Sequence, residues 1–211
     1  MGTKERRERE RDAVRTRILD AARELFAAQG YDGVSMRAIA EKIEYSPTAI
    51  YQYFRDKETL VTELCHADFL GLAEELAESQ QIEDPVERLL RCGHAYARFA
   101  TTHPNHYRLM FIDPLPARYD EAEMAEYKGK PEFDAYALLL GQVKAVAAAG
   151  RLRDAEADPE LVAQTLWAGI HGVVSLEIAL GCEKCIEWRP LEERVRAMLG
   201  ALTTGVFAGG H

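Results

Sequence analysis

The stretch SPTAIYQYFRDK, residues 46 to 57, concentrates side chains suited to recognition of a polyanion rather than to bond making. Ser46, Thr48, Tyr51, Gln52 and Tyr53 supply hydroxyls, an amide and two rings, and aliphatic bulk is confined to Ala49, Ile50 and Phe54. Hydroxyls and amides bond phosphates or base edges, and rings pack on thymine methyl groups. Ile50 and Phe54 are four apart, so on a helix they share a face and reserve it for a core. Lys57 opens the next helix, where its ammonium and the unpaired backbone N–H groups together suit one phosphate. Arg37, in the first turn of the preceding helix, is placed to reach the same groove. The alternative for Tyr51 and Tyr53 is that one of them is a half-buried core tyrosine. Upstream, KERRERERDAVRTR offers bases for a backbone or minor groove, but its acids nearly match its bases up to Asp12, which favours a solvated helix extension.

Three other constellations are weaker. His103-Pro-Asn-His106 presents two imidazoles at i, i+3, but a metal site needs three or four ligands and only His94 lies nearby. A capping His103 and a surface His106 are the simpler expectation. Cys182-Glu-Lys-Cys185 has C-x-x-C spacing without a second cysteine pair to complete a zinc site. Glu63-Leu-Cys-His66 has the Glu-x-x-His form of di-metal helical bundles, which need it twice. No Gly-rich phosphate loop, nucleophile elbow or His-Glu-x-x-His is present. A helical-bundle metal or small-molecule enzyme is therefore the alternative function; no metal site and no cofactor are expected.

Helices must position these groups. Val14, Ile18, Ala22, Leu25 and Gln29 repeat at helical spacing, and Gly30 is placed to close that helix. Ser35 predicts the cap of a second helix from Met36 to about Ile43. Ser46 caps a third, Pro47 to Phe54, with proline at the first helical position. Asp56 caps a fourth that runs to about Ser79. Prolines 85, 104, 131, 159 and 190 mark the starts of five more, with a loop over Asp113–Lys130. The second and third are joined by a three- or four-residue turn, which is helix-turn-helix geometry with the later helix entering the major groove. The expectation is an all-α chain of about nine helices: a three-helix domain over residues 1–60 and a larger helical domain over 61–211.

Composition agrees. The chain has 211 residues, 47% hydrophobic and 29% charged, enough to bury a core without staples. Alternating strand patterns are nearly absent. The longest uncharged run, Leu161 to Leu176, is sixteen residues and falls short of a membrane span. Four cysteines make no disulfide scaffold and no secretory signal is visible, so a reduced cytoplasmic location without membrane attachment is expected. Residues 1–60 hold 12 Lys and Arg against 11 Asp and Glu, whereas residues 61–211 hold 14 against 24. A polyanion would be repelled by the second part, so contact with one falls to the first.

The stretch from Thr16 to Leu64 resembles the DNA-binding domain of the TetR (tetracycline-repressor-type) family. The landmarks are Ala22-x-x-Leu25-Phe26, Gly30-Tyr31, Ser35-x-Arg37-x-Ile39-Ala40 and Tyr51-x-Tyr53-Phe54-x-x-Lys57-x-x-Leu60. The resemblance implies an all-helical homodimer that represses transcription on palindromic double-stranded operator DNA and is released by a small ligand. It places Arg37, Ala49, Tyr51, Tyr53 and Lys57 at DNA-facing positions. Ala49 stands where the family often has threonine, so the operator sequence does not transfer.

Farther on, Trp167-Ala-Gly-Ile-His171-Gly172 and Pro104-x-x-Tyr107-Arg108-Leu109-Met110-Phe111 resemble the WHG-type ligand-binding domain of some TetR-like regulators. The eighth and ninth helices are expected to pair the two copies. Gly169, Gly172, Ser175 and Ala179 allow close approach, and Leu191, Val195, Met198 and Leu202 form an apolar stripe that can serve instead as intrachain core. An effector site for a small, largely apolar ligand is expected among the fourth to eighth helices. Its expected walls are Phe69, Tyr96 and Phe99, then Tyr107, Met110 and Phe111, then Tyr136, Leu139 and Val143. Trp167 and His171, four apart, are the aromatic and polar pair; the plainer reading of His171 is a satisfied core or interface histidine.

Overall fold

The computed structural model describes residues 3–113, 128–181 and 185–207. Most of the loop expected over Asp113–Lys130, and Cys182, lie outside the described residues. Among the described residues the chain is all-α, with one antiparallel bridge between Leu152 and Phe207 as its only β pairing.

The helices are α1 (Thr3–Gly33), α2 (Met36–Lys42), α3 (Pro47–Ile50), α4 (Lys57–Ala77), α5 (Pro85–Thr102), α6 (Pro104–Tyr107), α7 (Ala135–Ala148), α8 (Pro159–Leu180) and α9 (Leu191–Val206). A 3-10 turn, Glu78–Gln81, follows α4, and a π turn, Arg108–Ile112, follows α6. Gly30 breaks the regular path of α1 at φ 72°, ψ 167°, a backbone state that glycine reaches without a steric penalty. The Ser35 hydroxyl accepts from the Ala38 N–H at 3.1 Å, and that of Ser46 from the Ala49 N–H at 3.2 Å. Each such cap stabilises its helix by about 1 kcal/mol.

Two boundaries differ from expectation. The third helix is regular only to Ile50, because the Gln52 and Tyr53 N–H groups bond three residues back, to Ala49 and Ile50 at 3.2 and 2.9 Å. The last turn thereby tightens to 3-10 form, a common way of satisfying terminal groups. The seventh helix begins at Ala135 rather than at Pro131. The Asp134 carboxylate accepts from the Tyr136 and Ala137 N–H groups, both at 3.0 Å, and is a better cap than anything upstream.

The chain divides into two compact units. The first holds residues up to Asp68 and the segment from Asn105. Its core gathers Ile18, Ala22, Phe26, Ile39, Ile50, Phe54, Leu60 and Leu64, all essentially without solvent contact. The second unit holds α5, α7, α8 and α9, with Leu89, Val143, Val146, Val162, Leu166 and Phe207 in one core cluster.

Helix α8 is apolar over most of its length. It buries Val162, Ala163, Leu166, Ile170 and Val174 and leaves Leu161, Leu176 and Leu180 at 63%, 47% and 38% exposure. With 22 residues it is long and apolar enough by composition to cross a bilayer, which the uncharged run alone did not suggest. Inside this unit it packs against α5, α7 and α9 as a core helix. Gly169 is used within the chain: a Cβ there would stand 2.5 Å from Leu202 Cδ1 and 2.9 Å from Met198 Sδ. Val195, Met198 and Leu202 thus contribute to packing inside the second unit.

Candidate nucleic-acid interface and effector site

The turn between α2 and α3 sets the aim of the second helix. Glu44 lies in it at φ 62°, a left-handed state unusual for a side-chain-bearing residue. Tyr45 N–H then bonds Ala40 O at 2.9 Å, which fastens the turn back onto α2. Arg17 donates to Ile43 O at 3.3 Å and lies 5.5 Å from the centroid of the Tyr45 ring, holding the same turn from α1.

Ile50 and Phe54 point inward at 0% and 1% exposure and fix α3 by two anchors on one face. The opposite face presents Ser46, Thr48, Tyr51 and Gln52 to solvent. Tyr51 is 54% exposed, unusual for so large a ring. Thr48, Tyr51 and Gln52 make no side-chain hydrogen bond among the described residues, so their donors and acceptors face outward unspent. Tyr53 is half-buried and packs against the core, so the two tyrosines have separate roles. Ala49 is half-buried between these faces. Arg37 is exposed, with its Nε donating to Glu41 at 2.9 Å. Arg55, which sequence reasoning did not single out, is exposed at the edge of the same segment and pairs with Asp56 at 2.8 Å.

Lys57 is occupied by its own fold. Its Nζ donates to Tyr31 O at 2.9 Å and Val34 O at 3.0 Å and sits 3.9 Å from the centroid of the Tyr31 ring. An ammonium has three donors, and two are used here. Nothing in the spacing marked Tyr31 as its partner, since the contact spans 26 residues. Asp56 caps α4, accepting from the Thr59 N–H at 2.8 Å and the Thr59 hydroxyl at 2.7 Å. Those bonds, with that from Arg55, hold its carboxyl at about 2.

The expected effector residues divide between the two units. Tyr107 and Met110 belong to the first, fully buried, and Phe111 lies with its ring 5.0 Å from that of Tyr107. In the second unit Tyr96, Trp167 and His171 form a directional chain. The Trp167 indole N–H donates to Tyr96 Oη at 3.2 Å, and Tyr96 Oη lies 3.1 Å from His171 Nδ1. Burial lowers the pKa of His171, which favours neutral imidazole. Tyr136 stands with its ring 6.0 Å from that of Trp167 and donates its hydroxyl to Glu160 at 2.7 Å. Val143 is fully buried in the core of this unit, with Leu139 packed against the same cluster. Phe99 is buried and tilts against His103 at 5.2 Å, and Phe69 is half-buried.

His106, expected at the surface, is half-buried at 29% side-chain exposure, with its Nδ1 3.0 Å from Oδ1 of the buried Asp68. Arg23 meets the same carboxylate through Nη2 at 2.7 Å and Nε at 3.3 Å. The signal for this network was an arginine and an aspartate at core-facing positions of otherwise apolar helical stretches. His103 caps the end of α5 and lies 3.7 Å from Glu75. Cys185 is exposed. Among the described residues no group of three or more His, Cys, Asp and Glu side chains is arranged to hold a metal ion.

Residues 18–64 match the family described as bacterial regulatory proteins, tetR family, and residues 89–202 match the tetracyclin repressor-like C-terminal domain. The chain is 28% identical over 160 residues to the HTH-type transcriptional repressor AcnR of Corynebacterium jeikeium, covering 74% of this chain and 77% of that one. It is 29% identical over 95 residues to YobS of Bacillus subtilis, an uncharacterized HTH-type transcriptional regulator, covering 45% of this chain. That match spans 50% of YobS, and matches to several other curated relatives span less of theirs. A TetR family transcription regulator from Marinobacter aquaeolei shares the fold, with TM-score 0.74 and 20% identity over 96% of this chain and all of that one.

Proposed function

The chain belongs to the TetR family of bacterial regulatory proteins, and from that premise we propose that it is a cytoplasmic transcriptional repressor that binds palindromic operator DNA as a homodimer and lets go when a small, largely apolar effector binds. The family is one of transcriptional regulators, not an enzyme class, and we read the chain as non-catalytic.

The observation that carries the reading is the two-sided α3 segment. Ile50 and Phe54 lock it into the core while Thr48, Tyr51 and Gln52 stand outward with unspent polar groups. A surface that presents an exposed tyrosine ring and an amide on a rigid short helix suits base-edge and thymine-methyl contact. Arg37 and Ser46 flank it for phosphate contact.

Dimerisation through α8 and α9 is supported by the face of α8 that the chain leaves open. Leu161, Ala168, Gly172, Leu176 and Ala179 recur at helical spacing on that face, and among the described residues nothing beyond the local helix backbone and chain neighbours lies within 4 Å of a Cβ built on Gly172. A second copy of the chain fits such a face, and a two-fold pair matches half-sites about one duplex turn, roughly 34–36 Å, apart. For the effector, Tyr96, Trp167 and His171 supply aromatic wall with a hydrogen-bonding handle. Operator and effector then weaken each other's binding by the same factor.

Selection of duplexes from a random-sequence pool by the purified full chain tests this reading. Enrichment of a palindrome, with affinity that falls steeply as salt rises, is the expected result. No enrichment and no salt-sensitive binding to any duplex would overturn it.

A further inference from the structure

The cations of the first sixty residues are almost all engaged by the protein itself. Arg6 pairs with Glu10, Arg37 with Glu41, Lys42 with Glu24 and Arg55 with Asp56. Arg15 pairs with Glu63, Arg23 with Asp20 and Asp68, and Arg9, Arg17 and Lys57 donate to backbone carbonyls. Lys4, Arg7 and Arg11 remain, exposed and without a partner among the described residues.

These three are not scattered. Helix α1 is regular from Thr3, and Lys4 to Asp12 are all exposed, ahead of the first residues that touch the core. At about 100° per residue, Lys4, Arg7 and Arg11 fall within an arc of roughly 60°, and Arg15 extends the same line. From Lys4 to Arg15 the line is about 16 Å long. Arg15 anchors its inner end, with its guanidinium 5.0 Å from the centroid of the Phe54 ring, the residue that closes the α3 segment. The inner end of the cationic line therefore packs on the inward-facing ring that ends the α3 segment. Glu8, about 40° from Lys4, borders this line, Glu5 and Asp12 lie farther round on the same side, and Glu10 lies on the other.

Resting on the DNA-binding reading above, we propose that the first three turns of α1 form a second, sequence-independent DNA contact in which Lys4, Arg7 and Arg11 bind phosphates beside each half-site. Charge complementarity supports this occupant. Residues 61–211 carry 24 acids against 14 bases, and Lys4, Arg7 and Arg11 are the cations of the first sixty residues that no acid or carbonyl among the described residues engages. The role assigned to this line is affinity and salt dependence, whereas α3 carries sequence preference.

The test uses full-length protein and two fluorescent 30-base-pair duplexes, one selected by the protein from a random pool and one of unrelated sequence. Affinity is measured from 50 to 300 mM KCl. The triple variant Lys4→Gln, Arg7→Gln, Arg11→Gln keeps good helix formers, and circular dichroism checks that α1 persists. The expected result is a log affinity against log salt slope shallower by about 5 on both duplexes, three phosphate contacts from each copy of the dimer, with the ratio between them retained. Tyr51→Ala is expected to erase that ratio and leave the slope. An unchanged slope in the triple variant, with wild type still preferring the selected duplex, overturns the α1 contact alone. Absence of duplex binding by the wild type overturns both readings.

Discussion

The ammonium of Lys57 sits 3.9 Å from the centroid of the Tyr31 ring and donates to the Tyr31 carbonyl at 2.9 Å, so one side chain at the start of α4 clamps the end of α1 through both its charge and its protons. A second bond, to Val34 O at 3.0 Å, extends the clamp to the residues that lead into α2. The lysine thus helps fix the angle at which the helix-turn-helix is held.

Lys57→Met keeps the stem and removes both donors. Hydrogen bonds from a charged group contribute about 1.5–3 kcal/mol, and a partly exposed cation–π contact about 0.5–1 kcal/mol. Urea unfolding should show a loss of about 2–3 kcal/mol. A loss below roughly 0.5 kcal/mol would mean that water replaces the clamp at no cost.

Two backbone sites predict opposite signs. Gly30 has φ 72° and, among the described residues outside its own helix backbone and chain neighbours, no atom within 4 Å of a built Cβ, so Gly30→Ala isolates the cost of a positive φ, which at ψ 167° is a region essentially reserved for glycine, about 1–3 kcal/mol. Glu44 bears that strain at φ 62°, and Glu44→Gly should raise stability by about 0.5 kcal/mol after glycine's entropy cost. Equilibrium unfolding of the two variants reads both values, and equal signs would refute the backbone argument.

Arg23 and Asp68 are a buried pair with two hydrogen bonds between them. Removing Arg23 leaves the buried carboxylate with His106 as its remaining partner, so Arg23→Met should cost about 3 kcal/mol, the lower end for a broken buried pair. The double variant Arg23→Met, Asp68→Leu should recover much of that loss. A double variant no more stable than the single one would show that the pair itself supplies net stability.

His171 titrates below its ordinary value of 6.5 because burial disfavours its charged form, and His94 is lowered by burial and by Arg91 and Arg196. The unfolded chain therefore takes up protons before the folded one. Stability should hold above about pH 6.5 and decline as the pH falls through that value toward the folded pKa values. His171→Gln should flatten part of the decline in thermal melts between pH 7 and 5. Nitrogen-15 NMR should find the His171 proton on Nε2, because Trp167 can only donate and leaves the Tyr96 hydroxyl proton for Nδ1; a proton on Nδ1 would reverse the Tyr96–His171 bond.

Asp56 supplies an acid-side counterpart. Its carboxyl is held at about 2 by the Thr59 N–H, by Arg55 and by the Thr59 hydroxyl. The stabilisation is complete above the unfolded value near 3.8 and disappears as the pH falls through 2. Melting temperatures of wild type and Asp56→Ala should converge across that window; a constant gap would place the effect elsewhere.

Local rules were sufficient for much of this molecule. Ser35, Ser46 and Asp56 cap helices as their short polar side chains predict, Gly30 takes a positive φ, and the spacing of Ile50 and Phe54 fixes which side of α3 is buried. These follow from interactions within about four residues, and a sequence displays such neighbours directly. Long-range partnership is of another kind. That Lys57 closes on Tyr31, that Asp68 collects Arg23 and His106, that Gly169 makes room for Leu202, and that Tyr53 turns inward while Tyr51 does not were decided when the helices packed. No spacing encodes those meetings, because each joins side chains whose distance depends on the angle between two helices.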